Sequence, residues 1–169
     1  MALSGDVLYL VCDISGSMSE NGKPLLLRGV AREIEQFIRL GYASCEIKLV
    51  FWNETAAICD WNPDDDFPEQ MYNCRGRTNM AALRDMLEAS NGKMILLTDG
   101  WWSKEDSQLF KRWKNSMMPD TLRIIKIGGD ANPLLKGDDV FSSDNFFDAL
   151  DGWLKIPANS TLDNEEDEW

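Results

Sequence analysis

Histidine is absent from the 169 residues. Its absence removes the commonest acid–base side chain at neutral pH and the imidazole half of any mixed Cys/His zinc site. Cysteine is scarce: Cys12, Cys45, Cys59 and Cys74 are the only four, no pair has C-x-x-C spacing, and a four-thiolate zinc site is not expected. Two of them lie in or at the end of apolar runs, where a thiol behaves as a small hydrophobe. Reduced, structural thiols of a cytosolic protein are the expectation. No apolar run approaches the ~20 residues of a membrane span. The first apolar run has no basic segment before it and is interrupted by Asp6, which argues against a signal peptide and for an intracellular, cytoplasmic site. Neither G-x-G-x-x-G nor G-x-x-x-x-G-K occurs, so the phosphate-cradling loops of nucleotide-binding domains are missing.

Positive charge is also short. The net charge is −12, and residues 1–155 carry 24 acids against 17 bases. That balance argues against non-specific nucleic-acid binding and against anionic membrane surfaces. Hydrophobic residues make up 44% and charged residues 27%, an ordinary globular composition whose length suits one domain. We read residues 1–155 as that domain. Residues 156–169 hold five acids and no base, lack periodicity, and read as a flexible acidic C-terminal tail.

Strand and helix patterns alternate along the chain. Val7 to Cys12 is an apolar run with the length of a buried strand. Pro24 suits a first helical turn, after which Leu27, Val30, Ile34, Phe37 and Ile38 fall at the helical period and Gly41 suits the stop. Cys45 to Trp52 reads as a strand, Asn53-Glu54 as a turn, and Thr55 to Cys59 as an antiparallel return. Asn62 to Pro68 is an acidic, proline-bounded loop without the ligand alternation of a calcium loop, and reads as solvated. Thr78 or Asn79 can cap a helix carrying Met80, Leu83, Met86 and Leu87 on one face. Met94 to Thr98 is a strand, and Ser103 can cap a helix burying Leu109, Phe110 and Trp113. Leu122 to Ile127 is a further strand, Val140-Phe141 an edge strand, and Phe146, Phe147, Leu150, Trp153 and Leu154 the face of a last helix. Such alternation predicts a mostly parallel sheet covered on both sides.

Two strands end in carboxylates. Asp13-Ile14-Ser15-Gly16-Ser17 places one carboxylate and two hydroxyls around a glycine, and Asp99-Gly100 closes a later strand. These hard oxygen donors suit Mg²⁺, Mn²⁺ or Ca²⁺ rather than zinc. Taken alone, the first five residues suit an ordinary capping turn equally well. In open α/β sheets, sites form beyond the carboxyl ends of strands, where the strand order reverses. For Asp13 and Asp99 to meet, their strands must be neighbours there.

With Asp13-x-Ser15-x-Ser17, then Thr78 in a Gly-x-Thr loop, then Asp99-Gly100, residues 5–155 resemble a von Willebrand factor A (VWA) domain with a complete metal-ion-dependent adhesion site (MIDAS). Arg77 stands where the family often has a second glycine. The resemblance implies a doubly wound, six-stranded α/β sheet of order 3-2-1-4-5-6 with one antiparallel edge strand. It also implies that Ser15, Ser17 and Thr78 ligate a cation through hydroxyls, with Asp13 and Asp99 acting directly or through water. Small bacterial stand-alone VWA proteins are similar in size. Those proteins are associated with AAA+ ATPases or with phosphatase–kinase sets in stress and defence systems.

Three neutral hydroxyls and two carboxylates leave a divalent ion under-neutralised and open on one side. A partner's Asp or Glu side chain would complete the shell. Mg²⁺ or Mn²⁺ suits so few and short ligands better than Ca²⁺. Catalysis would also need an activated nucleophile with a tuned acid or base, and no Lys or Cys accompanies these motifs, so a binding module rather than an enzyme is expected. The competing reading is a Mg²⁺-dependent phosphoesterase with Asp13 as nucleophile, although Ser15 stands where the Asp-x-Asp pattern needs a second carboxylate. Trp101 and Trp102, directly after Asp99-Gly100, are candidate partner-binding anchors, with at least one expected to be exposed. Trp52 and Asn53 are weaker candidates for the same rim. An acid of the tail, Glu165, Glu166, Asp167 or Glu168, docking on a neighbouring copy's metal and giving self-association or autoinhibition is less favoured than a solubilising tail.

Overall fold

Side-chain alternation along the central strands dictates the layers. The structure, a computed structural model, describes residues 6–154. The predicted acidic tail lies outside the described residues. The strands are β1 (Val7–Asp13), β2 (Glu46–Trp52), β3 (Ala56–Cys59), β4 (Lys93–Thr98), β5 (Leu122–Lys126) and β6 (Val140–Ser142). Leu8, Leu10 and Cys12 of β1, Leu49 and Phe51 of β2, and Ile95 and Leu97 of β4 join one core. Val11, Val50, Trp52, Met94 and Leu96, one residue out of phase on the same strands, join the other. A strand apolar on both faces has to be covered twice. Helix α1 (Lys23–Phe37) covers the first core through Leu27, Val30 and Ile34. Helices α2 (Met80–Leu87) and α3 (Lys104–Ser116) cover the second through Met80, Leu83, Phe110 and Trp113. Each fully buried aliphatic side chain contributes roughly 1.5–3 kcal/mol.

The strand order is β3-β2-β1-β4-β5-β6, the order that the resemblance implies. All pairings are parallel except β2 with β3. The connection from β1 leads to β2 on one side, and the chain returns to β4 on the other side of β1. The strand order therefore reverses between β1 and β4, and a crevice opens beyond their carboxyl ends. Asp13 is the last residue of β1, and Asp99 directly follows β4.

The ends of α1 follow its local chemistry. Gly22, in the left-handed region at φ 74°, precedes the helix, and Pro24 occupies its first turn. A π-helical turn, Ile38–Tyr42, carries the chain on to Gly41, whose φ of 91° ends it. The last helix departs from expectation. Helix α4 spans only Phe146–Leu150, because the backbone leaves helical geometry at Asp151 and Gly152 sits at φ 73°. Trp153 and Leu154 still reach the core through the following turn, whereas Phe147 stays half-exposed, edge-on against Phe37. The acidic loop keeps Asp64, Asp65 and Asp66 exposed, and Arg32 pins it through the Pro63 and Asp65 carbonyls.

Candidate metal centre

The loop after β1 is shaped by its own carboxylate. The Ser15 amide donates to Asp13 Oδ1 at 2.9 Å, an Asx-type turn that swings the chain off the sheet. The Gly16 amide donates to the Gly76 carbonyl at 2.8 Å, and the Arg75 amide to the Ile14 carbonyl at 2.8 Å. Two backbone bonds thus tie the serine loop to the loop bearing Thr78. Asn79, rather than Thr78, caps α2, accepting from the Ala82 amide. This leaves the Thr78 side chain to the crevice. Ser15, Ser17 and Thr78 line one cleft of about 690 Å³.

Asp13 and Asp99 are fully buried at the adjoining strand ends. Thr98 Oγ1 donates to Asp13 Oδ2 at 2.6 Å, so both Asp13 oxygens accept from the protein. Burial pushes the Asp13 carboxyl up to about 6. Hydrogen bonds from Ser15 and Thr98 oppose that shift, and the Asp99 charge adds to it. Asp99 Oδ1 accepts from the Trp101 amide at 3.1 Å. Gly100 takes φ 76°, and a Cβ there would lie 2.7 Å from Leu135 Cδ2, so glycine is required on both counts.

Two groups absent from the sequence-based site enter it. The first is Lys23, only 1% exposed, which corrects the expectation that no lysine accompanies these motifs. Its ammonium donates to the Ser17 carbonyl and to Asp99 Oδ2, both at 3.0 Å, and pairs with Asp130 Oδ2 at 2.9 Å. Burial disfavours the ammonium, but the hydrogen bonds to Asp130 and Asp99 outweigh it and hold the Lys23 pKa above its ordinary value. The second is Asp106, in the first turn of α3. Thr78 Oγ1 donates to its Oδ2 at 2.9 Å, and the Met80 amide to its Oδ1 at 3.1 Å. A third carboxylate therefore stands behind the threonine. Because Thr78 spends its proton on Asp106, its lone pairs are left for a cation. A Ser-x-x-acid capping pattern at Ser103 and Asp106 was visible in the sequence, but it reads as helix capping, and Ser103 does cap α3.

The aromatic candidates separate. Trp101 is 50% exposed and its indole donates to the Asp130 carbonyl at 2.7 Å. Trp102 turns inward: it packs edge-on against Trp52 and Phe110, and its indole donates to Thr98 Oγ1. Trp52 is fully buried, and its indole reaches the Asn79 carbonyl. Trp52 belongs wholly to the second core, and Trp102 packs against that core while staying partly exposed. Asn53 is held by the Arg75 carbonyl.

Ser17 Oγ tests whether these residues suit a cation. It is buried without a hydrogen-bond partner. Leaving a buried hydroxyl unsatisfied costs about 1–3 kcal/mol. A hydroxyl so placed, in a cleft with Ser15 and Thr78, has the donor chemistry of a hard divalent ion, whereas Asp13 and Asp99 are buried at the strand ends and do not line this cleft. Among the described residues no three His, Cys, Asp or Glu side chains gather into a metal cluster. The candidate set is built on hydroxyls instead.

No family model matches the sequence, and no curated protein matches it significantly. Among solved structures the chain is similar to manganese-loaded TRAP protein of Plasmodium vivax, with a TM-score of 0.58 and 14% identity over 90% of this chain and 74% of that one. It is also similar to proximal thread matrix protein 1 of the mussel byssus, whose MIDAS motif is occupied by zinc. There the TM-score is 0.50 and the identity 18%, over 86% of this chain and 45% of that one. A von Willebrand factor type A protein of Catenulispora acidiphila matches at a TM-score of 0.42 and 17% identity, over 72% of this chain and 32% of that one. At such identities the first two likenesses bear on architecture alone, and the chain has the VWA-like α/β fold.

Proposed function

We propose that this protein is a metal-dependent protein-interaction module. Ser15, Ser17 and Thr78 would hold a divalent cation through their hydroxyls, with Asp13 and Asp99 beneath and Asp106 behind Thr78. When bound, the cation supplies a Lewis-acidic position that takes an Asp or Glu side chain of a partner. The observation that carries this reading is the buried, unpartnered Ser17 hydroxyl in the cleft that Ser15 and Thr78 also line. Mg²⁺ or Mn²⁺ suits the short donors better than Ca²⁺.

A binding role is favoured over phosphoester cleavage by the state of Asp13. A nucleophile has to reach its substrate, and this carboxylate is fully buried with both oxygens accepting hydrogen bonds. The four free thiols suit a reducing compartment. No helix among the described residues is long and apolar enough to cross a membrane. By its resemblance to small bacterial VWA proteins, we infer a cytoplasmic component of an assembly built around an AAA+ ATPase or a phosphatase–kinase set.

The test is affinity capture with the whole chain, with and without chelator, beside Asp13→Ala. The expected result is a partner lost under both treatments. Identical partner sets in all three conditions oppose metal-mediated recognition.

A further inference from the structure

The rim of the cleft carries charge that the metal-ligand motifs do not require. Glu54, on the β2–β3 hairpin, folds back over the metal loops. Its Oε1 lies only 3.3 Å from where a Cβ at Gly76 would stand, and Gly76 is the residue whose carbonyl binds the serine loop. Glu105 is exposed at the start of α3, beside Asp106, and lines the same cleft. Arg77 is exposed next to Thr78 and is the only basic side chain lining this cleft among the described residues. Arg77, Glu54 and Glu105 form no ion pair among the described residues. Two exposed glutamates, with Asp106 behind Thr78, thus stand against one guanidinium in the lining of the cleft, through whose mouth a partner's carboxylate would enter.

We propose that the partner presents one Asp or Glu flanked by basic residues, and that the rim rejects polyacidic segments. This inference rests on the metal-dependent reading above. A cation would offer attraction to a single carboxylate at one point. Flanking side chains fall outside it, on the walls, where Glu54 and Glu105 face them. Like charges placed against each other at an interface discriminate through repulsion, which sets specificity more than it sets affinity. Trp101, half-exposed beside this mouth, offers an apolar face to the stem of a flanking lysine or arginine. The same field acts against the chain's own acidic run, Glu165 to Glu168, as an occupant of a neighbouring copy's site.

The experiment is fluorescence polarisation with the full chain in Mg²⁺ and in chelator, at low ionic strength. The labelled probes are peptides with one Asp between two lysines, between two alanines or between two glutamates, and a peptide of residues 161–169. The lysine-flanked peptide is expected to bind at least about tenfold tighter than the glutamate-flanked one, in Mg²⁺ only. The gap is expected to narrow as salt is raised. The 161–169 peptide is expected to bind no better than the glutamate-flanked one. In Glu54→Gln/Glu105→Gln the lysine and glutamate probes are expected to converge. Mg²⁺-dependent binding that is equal for all flanks overturns the rim inference and leaves the metal reading intact. A flank preference unchanged in the double variant also overturns it. Absence of Mg²⁺-dependent binding for every probe overturns both readings.

Discussion

The Lys23 ammonium lies 3.0 Å from Asp99 Oδ2, so one carboxylate of the candidate centre already faces an internal cation. The contacts form a ring. Lys23 joins Asp99 and Asp130, the Asp130 carbonyl accepts from the Trp101 indole, and the Trp101 amide donates to Asp99 Oδ1. Removing the lysine leaves Asp99 buried and uncompensated. In chelator, Lys23→Met is expected to lose about 3 kcal/mol in urea unfolding. That is the low end for breaking a buried pair, because Asp130 is partly exposed. Saturating Mg²⁺ should recover part of this loss by restoring positive charge beside Asp99. A loss of equal size with and without Mg²⁺ would contradict the placement.

Asp106 is expected to tune cation affinity through Thr78. A partner that fixes a ligand's orientation is typically worth 10–100-fold in metal affinity. Calorimetric titration of Asp106→Ala should therefore show Mg²⁺ binding weakened by about tenfold or more, and Asp106→Asn should fall between it and the wild type. Unchanged affinity in Asp106→Ala would remove this carboxylate from the account.

Which parts of this were legible in sequence follows from locality. The strands, α1 and the caps at Asn79 and Ser103 are set by periodicity and turn chemistry within a few residues, and the structure reproduces them. Asp13 and Asp99 are recognisable because each closes an apolar strand. The same strands explain why the two meet, since β1 and β4 pair directly. Lys23 was not legible. A lysine before Pro24 at a helix start looks solvent-exposed, and only the packing of three loops turns it inward onto Ser17, Asp99 and Asp130. Asp106 had a sufficient local role in the first turn of α3, which masked its second role at Thr78. The inward turn of Trp102 was not legible, because the side of the turn that a ring takes depends on what lies below, here Trp52 and Phe110.

The raised Asp13 carboxyl gives the protein a pH signature. Its ordinary value is 3.8 and its folded value about 6. Between these the native state keeps a proton that the unfolded chain has released. The stability this group contributes is complete below 3.8 and is lost as pH rises through about 6. In chelator, the wild type should therefore weaken relative to Asp13→Asn between about pH 4 and pH 7, by up to about 3 kcal/mol. A cation favours the ionised carboxylate, so the rise in Tm on adding Mg²⁺ should be larger at about pH 7 than at about pH 5. An equal rise at the two pH values would show that Asp13 is ionised throughout.

Gly100→Ala is expected to cost about 1–3 kcal/mol by overpacking, with backbone strain added. The new Cβ would lie 2.7 Å from Leu135 Cδ2, at a φ of 76°. Thermal unfolding in chelator measures it. A stability equal to the wild type would mean that Leu135 and the turn give way freely.

The most direct test of the centre is the titration of Mg²⁺ or Mn²⁺ into the wild type and Ser17→Ala, followed by calorimetry. The Ser17 hydroxyl has no partner to lose in the apo protein, so the substitution should leave apo stability unchanged or slightly raised. The wild type should bind one cation per chain, and Ser17→Ala should bind at least about tenfold more weakly. Equal affinity in the two proteins, or no cation binding by the wild type, would contradict a metal centre at this cleft.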